Sequence, residues 1–255
     1  MKIRKVLVSQ PEPKEDSPYR ELASKNGFKI DFRSFIKVEG VSGKEFRKER
    51  INILDHTAVV FTSKTAIDHF FRICKDVRAE VPETMKYFCM SESIAFYLQK
   101  YIVFRKRKIF SVESTLDSLV DLMAKHKEER FLIPLSDVSS STKEDILVKL
   151  EKTKLKYTKA VLFRTVCSDL SDMCDLDYDI LIFFTPQGIK SLFKNFPNFK
   201  QEEVKIAAFG PQTQKTALEY GVRVDIASPT PEAPSMTMAL EQFVVKTQKE
   251  AAKKK

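Results

Sequence analysis

Two short segments combine the residue types that hold an anion. Thr185-Pro186-Gln187-Gly188 follows the apolar run 180–184, and Gly210-Pro211-Gln212-Thr213 follows the run 205–209. Each pairs a proline, which starts a helix, with a glycine that lets the backbone come close to a ligand. A strand that turns straight into a helix leaves the first N–H groups of the helix without intrahelical acceptors. The positive end of the helix dipole lies behind those groups, so carboxylates and phosphates bind at such corners. The expected chemistry is anion binding by two neighbouring corners on one edge of a sheet.

The elements that must carry these corners occur twice. The segment 55–67, DHTAVVFTSKTAI, aligns without a gap on 177–189, DYDILIFFTPQGI. About thirty residues on, Tyr87 to Ser93 occupies the place of the run ending in Gly210-Pro211-Gln212-Thr213, and 111–119 echoes 228–240. Apolar runs of strand length separated by helices of about ten residues imply parallel sheets with crossover helices. Two similar α/β units of roughly 120 residues fit the length better than one large domain.

Composition narrows the function classes. The chain has 255 residues, 43% of them hydrophobic, enough for two ordinary cores. Its formal charge is +9, and with the lysine-rich segment 246–255 set aside the body still carries about +5. A basic body suits an acidic partner. No apolar run approaches the length of a membrane span, and the start lacks a signal-peptide core. Cys74, Cys89, Cys167 and Cys174 match neither a metal pattern nor a disulfide framework, which suits a reducing cytosol and core or surface thiols.

Four segments carry a family resemblance: KVLVSQPEP at 5–13, VVFTSKTAI at 59–67, FFTPQGI at 183–189 and AAFGPQTQKTALEYGVRVDIASPTPEA at 207–233. With them the chain resembles the uroporphyrinogen-III synthases. The resemblance implies two similar doubly wound, flavodoxin-like α/β domains joined by a two-stranded linker, with a cleft between them. One would be discontinuous, 1–36 plus 164–247, and the other inserted, 37–163, with 248–255 a basic tail. It also implies a cofactor-independent lyase that closes hydroxymethylbilane while inverting the last pyrrole ring. Such a protein would be a cytoplasmic monomer acting on a small polycarboxylate, without nucleic acid, membrane or metal.

The same resemblance places the donors. Amides from Thr185 to Ile189, including Gln187 and Gly188, and at Gln212 and Thr213 would take carboxylates in one domain. Ser63, Lys64, Thr65, Ser91 and Ser93 would take them in the other, and Ser9 and Gln10 follow the first strand. Hydroxyls of Ser63, Ser93, Thr185 and Thr213 add donors, although serine and threonine at these places also cap helices. Several positions depart from the family pattern. Gln10 replaces an arginine, Phe184 stands where the other copy has Thr62, and Met90 replaces a glycine. Phe163 occupies the place of a tyrosine proposed to assist departure of the hydroxyl; either that tyrosine is dispensable, or Thr213 or Tyr157 supplies the proton, or the protein is a slower or non-catalytic relative. These departures keep open a non-catalytic tetrapyrrole- or acidic-ligand-binding protein on the same scaffold. The charge motivates a nucleic-acid binder, but no zinc spacing or RNP-type aromatic motif accompanies it.

Along the chain, a helix is expected over 18–26 with Gly27 as its stop, and over 28–38 a strand that runs on into a connection. Helices are expected over 43–53, 65–75, 91–100, 115–125 and 143–152, and strands over 57–61, 86–90, 109–112, 131–134 and 156–165. On the helix 65–75, Ile67, Phe70, Phe71 and Cys74 form a core stripe, and His69 falls off it as a surface residue. The run 136–142 reads as a polar loop, and 246–255 as solvated.

Overall fold

The computed structural model describes residues 3–13, 17–113, 115–137, 141–173 and 176–253. In chain order the elements are β1 (Lys5–Val8), α1 (Pro18–Asn26), β2 (Lys29–Phe32), β3 (Ile36–Gly40), α2 (Gly43–Lys48), β4 (Ala58–Phe61), α3 (Lys64–Val77), β5 (Lys86–Cys89), α4 (Glu92–Tyr97), β6 (Ile109–Ser111), α5 (Leu116–Ala124), β7 (Arg130–Ser136), α6 (Ser141–Glu151), β8 (Lys156–Cys167), β9 (Ile180–Phe183), α7 (Pro186–Asn195), β10 (Lys205–Phe209), α8 (Pro211–Glu219), β11 (Ile226–Ser228) and α9 (Met236–Lys253). They form two units: Met1–Lys37 with Val166–Lys255, called the terminal unit below, and Val38–Thr165, the inserted unit.

The terminal unit is built on a five-stranded sheet of order β11-β10-β9-β1-β2, parallel at every pairing. Alternation along the strands sends Val6, Val8, Ile180 and Ile182 to one face, where Leu22 of α1 and Leu240 of α9 cover them. Leu7, Leu181 and Phe183 go to the other face, against Ile189 and Leu192 of α7 and Ala217 of α8. The strands are therefore apolar on both sides, as a doubly wound sheet requires. The inserted unit repeats the plan on a six-stranded sheet of order β3-β8-β7-β4-β5-β6. Helix α3 buries Ile67, Phe70, Ile73 and Cys74 against β4 and β5, and α5 and α6 cover the opposite face with Leu119, Met123, Ile146 and Leu150. Fully burying a side chain of this size contributes about 1.5–3 kcal/mol. Among the described residues no helix is long and apolar enough to cross a membrane.

Several boundaries differ from expectation for identifiable reasons. Helix α1 and its stop are as read, with Gly27 at φ 69° and its N–H bonded to the Ala23 carbonyl. The strand expected over 28–38 is two strands, because Phe35 turns inward to full burial and packs edge-on against Phe183. The helix expected over 43–53 ends at Lys48, since Arg50 adopts φ 55°, and a 3-10 turn follows at Ile53–Asp55. The helix expected over 91–100 is α4 closed by a 3-10 turn, Leu98–Lys100. Helix α9 runs on to Lys253, so the stretch expected as a tail is helical through Lys253, and within it Lys246, Gln248, Lys249 and Glu250 are exposed as expected. Of the polar loop 136–142, residues 138–140 lie outside the described residues, as does Cys174.

Candidate active site

At the carboxyl end of β9, Thr185 caps α7: its Oγ1 accepts from the Gly188 N–H at 3.1 Å. Gly188 is there because the approach is close. A Cβ on it would lie 3.3 Å from Phe183 Cδ1 and 3.8 Å from the hydroxyl of Ser9, itself buried at the end of β1. The side chain of Gln187 reaches Cys167 Sγ at 3.7 Å, and Gln10 is exposed. At the end of β10 the corner is built differently. Gly210 takes φ 83° and ψ 149°, a region essentially reserved for glycine, and no side chain caps α8. Gln212 and Thr213 hold the second and third positions of that helix, Gln212 exposed and Thr213 only 2% exposed. Phe184, just past β9, and Phe209, the last residue of β10, have ring centres 6.0 Å apart.

The inserted unit has matching corners. Ser63 Oγ accepts from Ala66 N–H at 3.1 Å, and Ser91 Oγ from Ile94 N–H at 3.4 Å. Ser91 and Ser93 share a hydroxyl contact of 3.2 Å. Ser63, Ser91 and Thr185 are thus all caps, and in each case the amide at the third helical position is already taken. What remains for a ligand is charge and the outer amides. Helices α3, α7, α8 and α9 carry no acidic residue in the first turn, whereas α1, α2, α4 and α5 do, and of the first four α3, α7 and α8 follow directly on a strand. Lys64 occupies the first position of α3, where a cation opposes the dipole. Three helix starts on carboxyl edges are therefore left without a resident negative charge.

Known proteins give the assignment. The family model described as uroporphyrinogen-III synthase HemD matches residues 17–238. The chain belongs to the uroporphyrinogen-III synthase family. Its function is that family's: a cyclising lyase reaction on a small molecule that yields uroporphyrinogen III. The uroporphyrinogen-III synthetase from Helicobacter pylori has the same fold, at TM-score 0.57 and 14% identity, over 95% of this chain and 99% of that one. A mutant uroporphyrinogen III synthase from Thermus thermophilus gives 0.50 and 16%, over 96% and 99%. No curated protein matches the sequence.

Against the uroporphyrinogen-III synthase pattern the departure at Phe163 acquires a structural setting. Phe163 lies at a register shift opposite Ser136, and its carbonyl accepts from the Asp137 N–H. Its ring stacks on His69, centres 5.0 Å apart and 16° from parallel. His69 is thus half-buried, contrary to the surface position expected for it. Arg72 Nε donates to His69 Nδ1 at 3.1 Å, which fixes the proton of the neutral ring on Nε2. Burial, and then the charge of Arg72, hold its pKa below the ordinary histidine value. The only advance signal was the His69/Arg72 spacing of three, which puts both on one helix face. Tyr157 cannot stand in for the missing hydroxyl. It lies near the start of β8, six residues before Phe163, so about 20 Å separates them along the strand.

Sequence reasoning also missed a polar cluster beside Lys64. Asp68 accepts from the hydroxyls of Tyr97 and Tyr101 and from Lys100 Nζ, while Lys64 lies 5.6 Å above the Tyr97 ring. Three donors on one carboxylate hold the Asp68 pKa down despite its partial burial. Burial pushes the thiols of Cys74 and Cys89 up to about 12.

Proposed function

We propose that the chain closes hydroxymethylbilane without a cofactor, using the α3, α7 and α8 corners as carboxylate holders. The reaction expels water and forms one carbon–carbon bond with no net redox change, so it needs no electron carrier. Hydroxymethylbilane left alone closes without inverting its last ring. The requirement is therefore to fold a floppy polycarboxylate so that direct closure is excluded and attack at the substituted carbon is reached. That is positioning and differential binding of the transition state. Fixed amides and hydroxyls suffice as holders: Gln187, Ile189, Gln212 and Thr213 from the terminal unit with Ser9 and Gln10, and Lys64, Thr65 and Ser93 beside the capping Ser63 and Ser91 from the inserted unit. Gly188 and Thr185 shape the α7 corner.

The observation that carries this reading is the absence of first-turn acids at those three helix starts, with a lysine at one of them. Thr213 is the group assigned to assist departure of the hydroxyl, since its near-complete burial shields it from competing water. Action as a cytoplasmic monomer belongs to the same proposal. Purified protein incubated with fresh hydroxymethylbilane should yield isomer III after oxidation and separation. Isomer I alone would refute it.

A further inference from the structure

The inserted sheet has a second polar edge, at the start of its strands, opposite the corners described above. Arg50, Asn52, Asp55, His56, Arg130 and Lys156 surround a hollow there of about 400 Å³. Arg130 opens β7 and Lys156 opens β8, and the two are register partners on neighbouring parallel strands. Like charges placed side by side on a sheet repel. Arg50 adds a third cation from a backbone at φ 55°, a conformation that side-chain-bearing residues rarely adopt.

Of the two nearby carboxylates, one is engaged elsewhere and the other lines the hollow. Glu129, adjacent in sequence to Arg130, pairs with Lys86 at 2.6 Å. The carboxylate of Asp55 accepts from Asn52 Nδ2 at 2.8 Å, and its backbone carbonyl accepts from Arg130 Nε. That last bond fixes the guanidinium in place and leaves its terminal nitrogens available. Among the described residues, none of Arg50, Arg130 and Lys156 forms an ion pair. Three cations, two of them planar forks suited to bidentate oxyanions, thus converge on one hollow beside a single carboxylate.

We propose that this hollow binds a small multiply charged anion, a phosphate or polycarboxylate group held between Arg50, Arg130 and Lys156. It lies on the far edge of the inserted sheet from Ser63 and Ser91, so it is separate from the proposed carboxylate holders. The test is calorimetric titration of the full chain at low ionic strength with inorganic diphosphate and, in parallel, citrate. Saturable binding of at least one is expected. Tighter binding of diphosphate assigns the site to phosphates, and tighter binding of citrate to carboxylates. Arg50→Gly should weaken binding about tenfold or more, and it is the variant that folds safely, because glycine accepts the backbone conformation already present. Arg130→Gln should do the same, with thermal unfolding as the check on folding. Thr213→Ala should leave this affinity unchanged. Absence of saturable binding at millimolar anion, or equal affinity in wild type and Arg50→Gly, overturns the proposal. Binding that is lost in Thr213→Ala but kept in Arg50→Gly would place the anion at the corners instead, and overturns it as well.

Discussion

The α3 and α8 corners share a plan and differ in who occupies the helix start. At α3 the chain caps itself: Ser63 spends its hydroxyl on the third amide of the helix, as Ser91 and Thr185 do at α4 and α7. At α8 the cap position is Gly210, which has no side chain to offer, and its φ of 83° turns the backbone away. A self-capped corner is satisfied before any ligand arrives; an uncapped one retains its full set of donors. On the proposed function, the difference divides the labour of the repeat, with α8 as the stronger anion holder and the capped corners as secondary ones.

The largest expected effect tests that division at its source. Gly210→Ala adds a methyl group that meets nothing within 4 Å, so its cost is purely conformational. Holding alanine in that region costs about 1–3 kcal/mol. Relief of the strain would rotate the first turn of α8, and a misplacement of about 1 Å can lower turnover about 100-fold. Denaturant unfolding together with the isomer assay measures both. Ser63→Gly, which makes α3 resemble α8, should cost only a few tenths of a kcal/mol. Equal losses in the two variants would erase the proposed distinction.

Next in size is a pair of threonines at the two kinds of corner. Thr213→Ala should lower kcat/KM about tenfold, equivalent to about 1.4 kcal/mol. Thr62→Ala, at the half-buried residue before the α3 cap, should do clearly less. Equal or reversed effects would overturn the ranking of the corners. A smaller effect separates capping from ligand holding. Ser63→Ala should lower stability by about 1 kcal/mol, more than Ser63→Gly at the same position. If both variants lose turnover in step with stability alone, Ser63 is a cap and the substrate draws nothing from its hydroxyl.

Much of this comparison was legible in the residues. The gap-free match of 55–67 to 177–189 gave the repeat, and uniformly apolar strands gave sheets covered on both faces. The proline and glycine of each corner gave the helix starts. What stayed hidden depends on contacts between segments remote in sequence. Phe35 ends a strand because it meets Phe183 across the fold, which no local pattern encodes. His69 looked like a surface residue because its partner, Phe163, lies 94 positions away. That Ser63 and Thr185 were caps as well as candidate ligands was foreseeable as an alternative, and only geometry shows that each hydroxyl oxygen accepts a helix amide, which leaves its O–H to donate. The reach of α9 to Lys253 was missed because lysine-rich ends read as solvated; residues 246–250 are mostly exposed, and the helix is held by Met236, Ala239, Leu240 and Val244 before them.

The smallest expected effect concerns a difference between the units in titration. All three histidines lie in the inserted unit, and the pKa of His69 is held below the ordinary value, by burial first and then by Arg72, with Asp68 opposing. Above the unfolded value of about 6.5 the ring is neutral in both states, and its folded-state contribution is fully present. As pH falls below that value the unfolded chain takes up a proton that the folded chain resists, so stability declines until the lowered folded pKa is passed. The wild type should therefore lose stability between about pH 7 and 5, and His69→Gln should show a shallower slope over the same range. Denaturant midpoints at several pH values measure both slopes. Parallel slopes would mean that the Phe163 stack and the Arg72 bond do not hold the ring neutral, and that the inserted unit gains no pH sensitivity from this residue.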